Sequence, residues 1–111
     1  MFMVGDTLWL EYCDIVPENF TGRMRFYFGS LLFYKEGQRQ SFQDPVTGEW
    51  MPAFIRANGT KFWYDKDQMQ SFQDPVTRKW MPAVIHNDGT KAWYDNGDWI
   101  EDPEEYFKNR G

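Results

Sequence analysis

Two pairs of rings and one run of carboxylates are the residues in this chain best suited to chemistry. Trp63-Tyr64 returns as Trp93-Tyr94, and Trp99 follows soon after. Asp95, Asp98, Glu101, Asp102, Glu104 and Glu105 then run without an intervening base. Rings repeated at a fixed spacing can stack sugars, bases or a partner's side chains, or simply pack across strands. Tyr64 and Tyr94 are expected to point into the core. Trp63 and Trp93 are expected nearer the surface, on a face shared with Lys61, Lys91, Asp65 and Asp95. The acidic run suits a basic protein surface, or it solvates that end of the chain. The candidate binding set is therefore Trp63, Trp93, Trp99, Asp98, Glu101, Asp102, Glu104 and Glu105.

The remaining reactive side chains have plainer explanations. His86 replaces Arg56 of the preceding copy and reads as an exposed strand residue rather than a catalytic base. Cys13 has no histidine nearby in sequence and reads as a small buried residue. Asp44 and Asp74 each precede a proline, where a turn needs the carboxylate to accept backbone N–H groups. Asp65 and Asp95 sit on successive copies, which gives no reason for a glycosidase separation. Asp95-Asn96-Gly97-Asp98 lacks the alternating oxygen ligands of a calcium loop. One Cys and one His exclude a zinc spacing. No phosphate loop or nucleophile elbow is present, so the chain is read as non-enzymatic, with no catalytic, cofactor or metal residues.

Charge and composition narrow the partners. The net charge is -5, with the acidic excess at the C-terminal end. A nucleic-acid binder needs a basic footprint, so direct contact with nucleic acid is not expected. The N-terminus has neither a basic region nor a long apolar run, which argues against a signal peptide or membrane span. A cytoplasmic setting follows, in a cell or in a virus-infected host. Aromatic residues make up 20% of the chain while aliphatic ones are few, so the core must be built largely from rings. At 111 residues one domain is expected.

What must position these residues is a tandem duplication. Ser41 to Thr47 returns as Ser71 to Thr77, Trp50 to Ala53 as Trp80 to Ala83, and Gly59 to Lys61 as Gly89 to Lys91, all at an offset of 30 residues. Gly29-Ser30, Tyr34, Gln38 and Gln40 mark a degenerate earlier copy. The fold class is mostly β: an antiparallel meander of about three repeated hairpins, an N-terminal strand and a short C-terminal helix. The single domain divides into an N-terminal strand and cap (1–21), repeat units 22–60, 61–90 and 91–100, and a helix (102–110).

Residues 4–12 read as one strand, with Leu8, Leu10 and Tyr12 on one face. Asn58-Gly59 and Asp88-Gly89 predict type I′ turns, pairing Ile55 with Phe62 and Phe54 with Trp63. One face then carries Ala53, Ile55, Phe62 and Tyr64, and the other Phe54, Trp63, Arg56, Lys61 and Asp65. Asp44-Pro45-Val46-Thr47-Gly48 predicts a type I turn closed by a glycine bulge, with Phe42 opposite Trp50. Arg78 replaces that glycine in the second copy, which predicts a looser turn. Asp102-Pro103-Glu104-Glu105 is a helix start, with Tyr106 and Phe107 placed to dock on the last hairpin and Gly111 ending the helix.

Pro82-Ala83-Val84-Ile85, Asp88-Gly89-Thr90-Lys91, Trp93-Tyr94 and Asn96-Gly97 resemble a known hairpin repeat. It is the PAVI…DGTK…WY…NG type of phage, bacterial and giant-virus proteins, related in style to MORN repeats. The resemblance covers roughly residues 22–100. Gln70-Ser71-Phe72-Gln73-Asp74 matches the family's His-Ser-Phe-x-Asp segment, with glutamine for histidine. The resemblance implies a repetitive sheet used for binding, with no catalytic residues to carry over. The segment from Trp50 to Pro75 also looks like a WW domain, with Phe72 where a second tryptophan is usual.

Three functions are in view. The preferred one is a non-catalytic protein-binding module, in its sharper form a small phage-type inhibitor of a host protein or defence system. A small-ligand or glycan binder using aromatic rows is the second. A structural or assembly role, with homo-oligomers formed through strand edges, is the third.

Overall fold

The computed structural model describes residues 2–5, 7–10, 17–26 and 29–110. The expectations for Tyr12, Cys13 and Gly111 lie outside these residues. The chain is mostly β, with one short helix at its C-terminal end.

The N-terminal segment is a hairpin rather than one strand. Gly5 takes a left-handed φ of 61°, which breaks the run into β1 (Phe2–Val4) and β2 (Thr7–Leu10). β2 pairs in parallel with β3 (Gly22–Phe26), so the sheet is mixed rather than wholly antiparallel. β3 pairs antiparallel with β4 (Leu31–Lys35). Leu8 and Leu10 do share a face, and with Met24 and Leu32 they form the buried aliphatic core. Phe20, Phe26, Tyr34 and Phe54 close over it. Where aliphatic residues run out, rings finish the job.

Beyond β4 the strands shorten to two or three residues, with one exception. In order they are β5 (Gln38–Arg39), β6 (Phe42–Gln43), β7 (Trp50–Met51), β8 (Phe54–Ile55), β9 (Lys61–Phe62), β10 (Tyr64–Asp65) and β11 (Gln68–Met69). After them come β12 (Val84–Ile85), the five-residue β13 (Lys91–Asp95), β14 (Asp98–Ile100) and α1 (Pro103–Arg110). The main sheet runs β1-β2-β3-β4-β8-β9-β12-β13-β14, with β5 also on β4. The pairs β6-β7 and β10-β11 stand apart as small ribbons. Ala53 and Ala83 are fully buried at the start of the sheet-forming hairpins, where their N–H groups bond to the carbonyls of Phe62 and Ala92.

The turns correct the expected register. Gly59 alone has positive φ in its loop; its N–H bonds to the Arg56 carbonyl at 2.9 Å, and the Arg56 N–H bonds to the Thr60 carbonyl at 2.8 Å. This is a type I turn followed by a left-handed glycine, which adds one residue to the loop. Phe54 therefore faces Phe62, and Ile55 faces Lys61. The one-residue slip moves Phe54 onto the face of Phe62, where the rings stack at 5.2 Å. Asp88-Gly89 repeats this geometry, with Val84 opposite Ala92. Paired positive φ values, the mark of type I′, occur instead at Glu36-Gly37, Lys66-Asp67 and Asn96-Gly97.

The Asp-Pro turns also pair one residue differently. Phe42 faces Met51 and Gln43 faces Trp50, because Gly48 sits inside a five-residue turn closed by its N–H to the Asp44 carbonyl at 2.8 Å. Arg78 adopts the same left-handed backbone, φ 66°, and its N–H bonds to the Asp74 carbonyl at 2.9 Å. The second turn is not looser. Its Asp74 contacts hold the arginine in a conformation that costs a side chain about 1 kcal/mol. Arg78→Gly should therefore raise unfolding stability by about 0.5–1 kcal/mol in urea titration, since Arg78 is exposed and a glycine meets no strain there.

Candidate functional site

Most of the duplicated motif binds the chain to itself. Ser41 donates its N–H to the Tyr64 carbonyl at 2.8 Å, and its Oγ accepts the Tyr64 N–H at 3.0 Å. Gln40 Oε1 accepts the Lys66 N–H at 2.9 Å. Thirty residues on, Ser71 holds Tyr94 through the same two bonds at 2.8 and 3.1 Å, and Gln70 accepts the Asn96 N–H at 2.7 Å. Glutamine and serine thus act as a clasp that gives short strands the main-chain partners they lack. Residue-by-residue reading missed this role, although the recurrence of Gln-Ser outside any turn or apolar position was its signal.

The ring rows are packed on each other. Trp50 stacks on Phe72 at 4.0 Å and 14°, and Trp80 stacks on Phe107 of α1 at 4.3 Å and 9°. The indole N–H groups of Trp63 and Trp93 donate to the carbonyls of Trp50 and Trp80 at 2.9 and 2.8 Å. Trp63 and Trp93 are half-buried, Tyr64 is buried and Tyr94 half-buried. The two tryptophans therefore brace the stacks, with one edge left to solvent.

Asp95 is buried, and its two oxygens accept Gln70 Nε2 at 3.1 Å and the Tyr106 hydroxyl at 2.6 Å. That ties the last hairpin to the preceding copy and to α1. His86 is exposed. Among the described residues no group of three His, Cys, Asp or Glu side chains could hold a metal ion, and no helix is long and apolar enough to cross a membrane.

The candidate residues separate into three places. Trp99, Asp98, Glu101, Asp102 and Glu105 come together around one shallow concavity, which also includes Ile100 and Tyr106. Trp93 and Glu104 line a different groove, beside the stacked Trp80 and Phe107, with Arg78, Lys79 and Lys108. Trp63 lies in a third, beside Trp50 and Phe72. Within the first site Asp102 also caps α1, accepting the Glu105 N–H at 3.3 Å. Trp99 is 61% exposed, whereas Trp9, Trp50, Trp63, Trp80 and Trp93 are all half-buried. Tyr106, expected only to dock the helix, also exposes 41% of its surface here.

No family model, curated protein or solved structure matches this chain.

The turn carboxylates are structural. The N–H groups of Thr47 and Val46 hold the Asp44 carboxyl below its ordinary range, and those of Thr77 and Val76 do the same for Asp74. A lowered folded pKa stabilises the fold above the unfolded pKa, and that contribution is lost as pH falls through the folded value. The double variant Asp44→Asn, Asp74→Asn should be less stable than the parent at neutral pH. The gap between their urea midpoints should narrow towards about pH 3, below the ordinary aspartate value. Ser71→Ala removes the buried acceptor of the Tyr94 N–H and should cost about 1–3 kcal/mol by the same measurement.

Proposed function

We propose that this protein is a non-catalytic binding module that engages a basic surface of another protein through Trp99 and its acidic surround. The exposure of Trp99 is the observation that supports this most directly. Every other described tryptophan is half-buried, so leaving this one out forgoes apolar burial of a large side chain. Tryptophan is also the side chain most often found to dominate an interface. Asp98, Glu101, Asp102 and Glu105 around it would steer a basic partner into place and pair with its charges.

The sharper form is a small inhibitor of a host protein, acting by covering a basic patch that the host protein needs. The resemblance to phage-type hairpin repeats supports that version. A glycan-binding reading would need rows of free ring faces, and Trp50 and Trp80 already have Phe72 and Phe107 stacked on them.

Affinity capture with the wild type and with Trp99→Ala combined with Asp98→Lys and Glu101→Lys tests the proposal. The wild type should retain a basic protein whose capture weakens as salt rises, and the triple variant should lose it by at least about tenfold. An identical bound set from both baits would refute it.

A further inference from the structure

Position 99 belongs to a series. The main-chain carbonyls of Phe20, Arg39 and Met69 each accept an N–H from the second residue of a type I′ turn that follows. These donors are Gly37 at 2.9 Å, Asp67 at 3.0 Å and Gly97 at 3.0 Å. Trp99 stands 30 residues after Met69 and faces Tyr94 as Met69 faces Tyr64. The N–H and C=O of Tyr94 turn away from β14, towards Ser71. In an antiparallel pair the opposite residue turns away too, so the main-chain groups of Trp99 point outward from the last strand of the sheet. No further turn follows to meet them among the described residues. Instead α1 places Phe107 on Trp80 and Tyr106 on Asp95, and Trp99 stays exposed.

The chain itself shows what such an edge receives. At the Arg39 position the incoming turn offers Asp67, whose N–H bonds to the Arg39 carbonyl and whose carboxylate pairs with the guanidinium. The same guanidinium lies 4.3 Å from the centre of the Tyr64 ring. At Trp99 the polarity is reversed: the edge supplies the ring and the carboxylates, so the incoming turn must supply the cation.

We infer that the Trp99 edge receives a basic β-turn of a protein partner, seated where a further hairpin would continue the array. The second turn residue donates its N–H to the Trp99 carbonyl. A flanking arginine or lysine lies on the indole and meets Asp98 and Glu101. This rests on the binding-module reading and specifies the element the partner presents. A phosphate-bearing ligand is disfavoured by the carboxylates. Head-to-tail stacking of copies is disfavoured because Phe20 already occupies the corresponding face at Gly37.

A cyclised hairpin peptide with an Asn-Gly turn flanked by arginines tests this on the full chain, beside the same peptide carrying N-methylglycine at the turn. Heteronuclear NMR and tryptophan fluorescence should show the first peptide shifting the signals of Trp99 and its neighbours. The N-methylated peptide, unable to donate, should bind at least about tenfold more weakly, equivalent to about 1.4 kcal/mol. Trp99→Ala, a substitution at an exposed position checked for fold by circular dichroism, should weaken the first peptide to a similar degree. Equal binding of the two peptides would overturn the turn-specific inference while leaving a basic-surface module standing. Binding of neither would sink both. A Trp99-dependent dimer in sedimentation would show that the edge belongs to a second copy, and would also overturn it.

Discussion

Strands of two residues cannot hold a sheet together by their own ladders, and the architecture follows from how this chain makes up the deficit. A pair such as Phe54–Phe62 with Ile55–Lys61 offers only a few main-chain bonds and little apolar area. The clasp of Gln40 and Ser41 on the following strand, repeated by Gln70 and Ser71, supplies bonds from side chain to main chain between copies. The ring stacks supply the burial. Trp50 on Phe72 spans one junction and Trp80 on Phe107 the next, with each tryptophan carbonyl also held by the indole of Trp63 or Trp93. These contacts link one copy to its neighbour, so a single copy in isolation would leave its rings half covered.

That dependence on a neighbour makes the last copy a problem, and α1 is the solution. Phe107 takes on Trp80 the place that Phe72 takes on Trp50. The Tyr106 hydroxyl satisfies Asp95, a carboxylate that burial would otherwise penalise. Asp102 caps the helix at the point where the chain leaves β14. The substitution is incomplete, since a helix presents no left-handed turn N–H to the carbonyl of residue 99. At the other end Phe20 closes the corresponding face, and the parallel β2-β3 pair covers the outer side of the first hairpin. The two ends of the array are therefore unequal, and only the C-terminal one is left with an exposed tryptophan.

The spacing of Trp50, Gly59, Tyr64 and their partners made the mostly β fold legible, as did the Asp102-Pro103 helix start. Register was less so. Asn58-Gly59 and Asp88-Gly89 look like two-residue turns, but a glycine that alone takes positive φ adds a residue to the loop and shifts the pairing by one. Two of the true type I′ turns, Lys66-Asp67 and Glu36-Gly37, were hidden because they lack the usual Asn-Gly signature that Asn96-Gly97 carries. Asp67 bears a φ of 70° while its side chain engages Arg39, a tertiary contact that local propensity does not report. The candidate site was legible as a list of residues but not as a place. Nothing in the spacing separates Trp99 from Trp93, because the difference is made by the carbonyl of Trp80 and the ring of Phe107. Both lie outside the strand that carries Trp93 and the pairing partner of Trp99.

An open strand edge bearing a tryptophan is ordinarily an aggregation hazard, since outward N–H and C=O groups invite a second copy to pair. In the proposed binding mode the carboxylates around Trp99 would address that hazard and the choice of partner together. Two copies approaching edge to edge would bring Asp98 and Glu101 against their own counterparts, and like charges across a pairing interface are unfavourable. A basic segment meets the same field as an attraction that extends over about a Debye length, roughly 8 Å at physiological salt. The ring and the carbonyl of Trp99 supply short-range contact once that segment arrives. On the reading proposed above, the acidic run would do more than solvate this part of the chain: it would make an unpaired edge tolerable and set the charge of what can complete it.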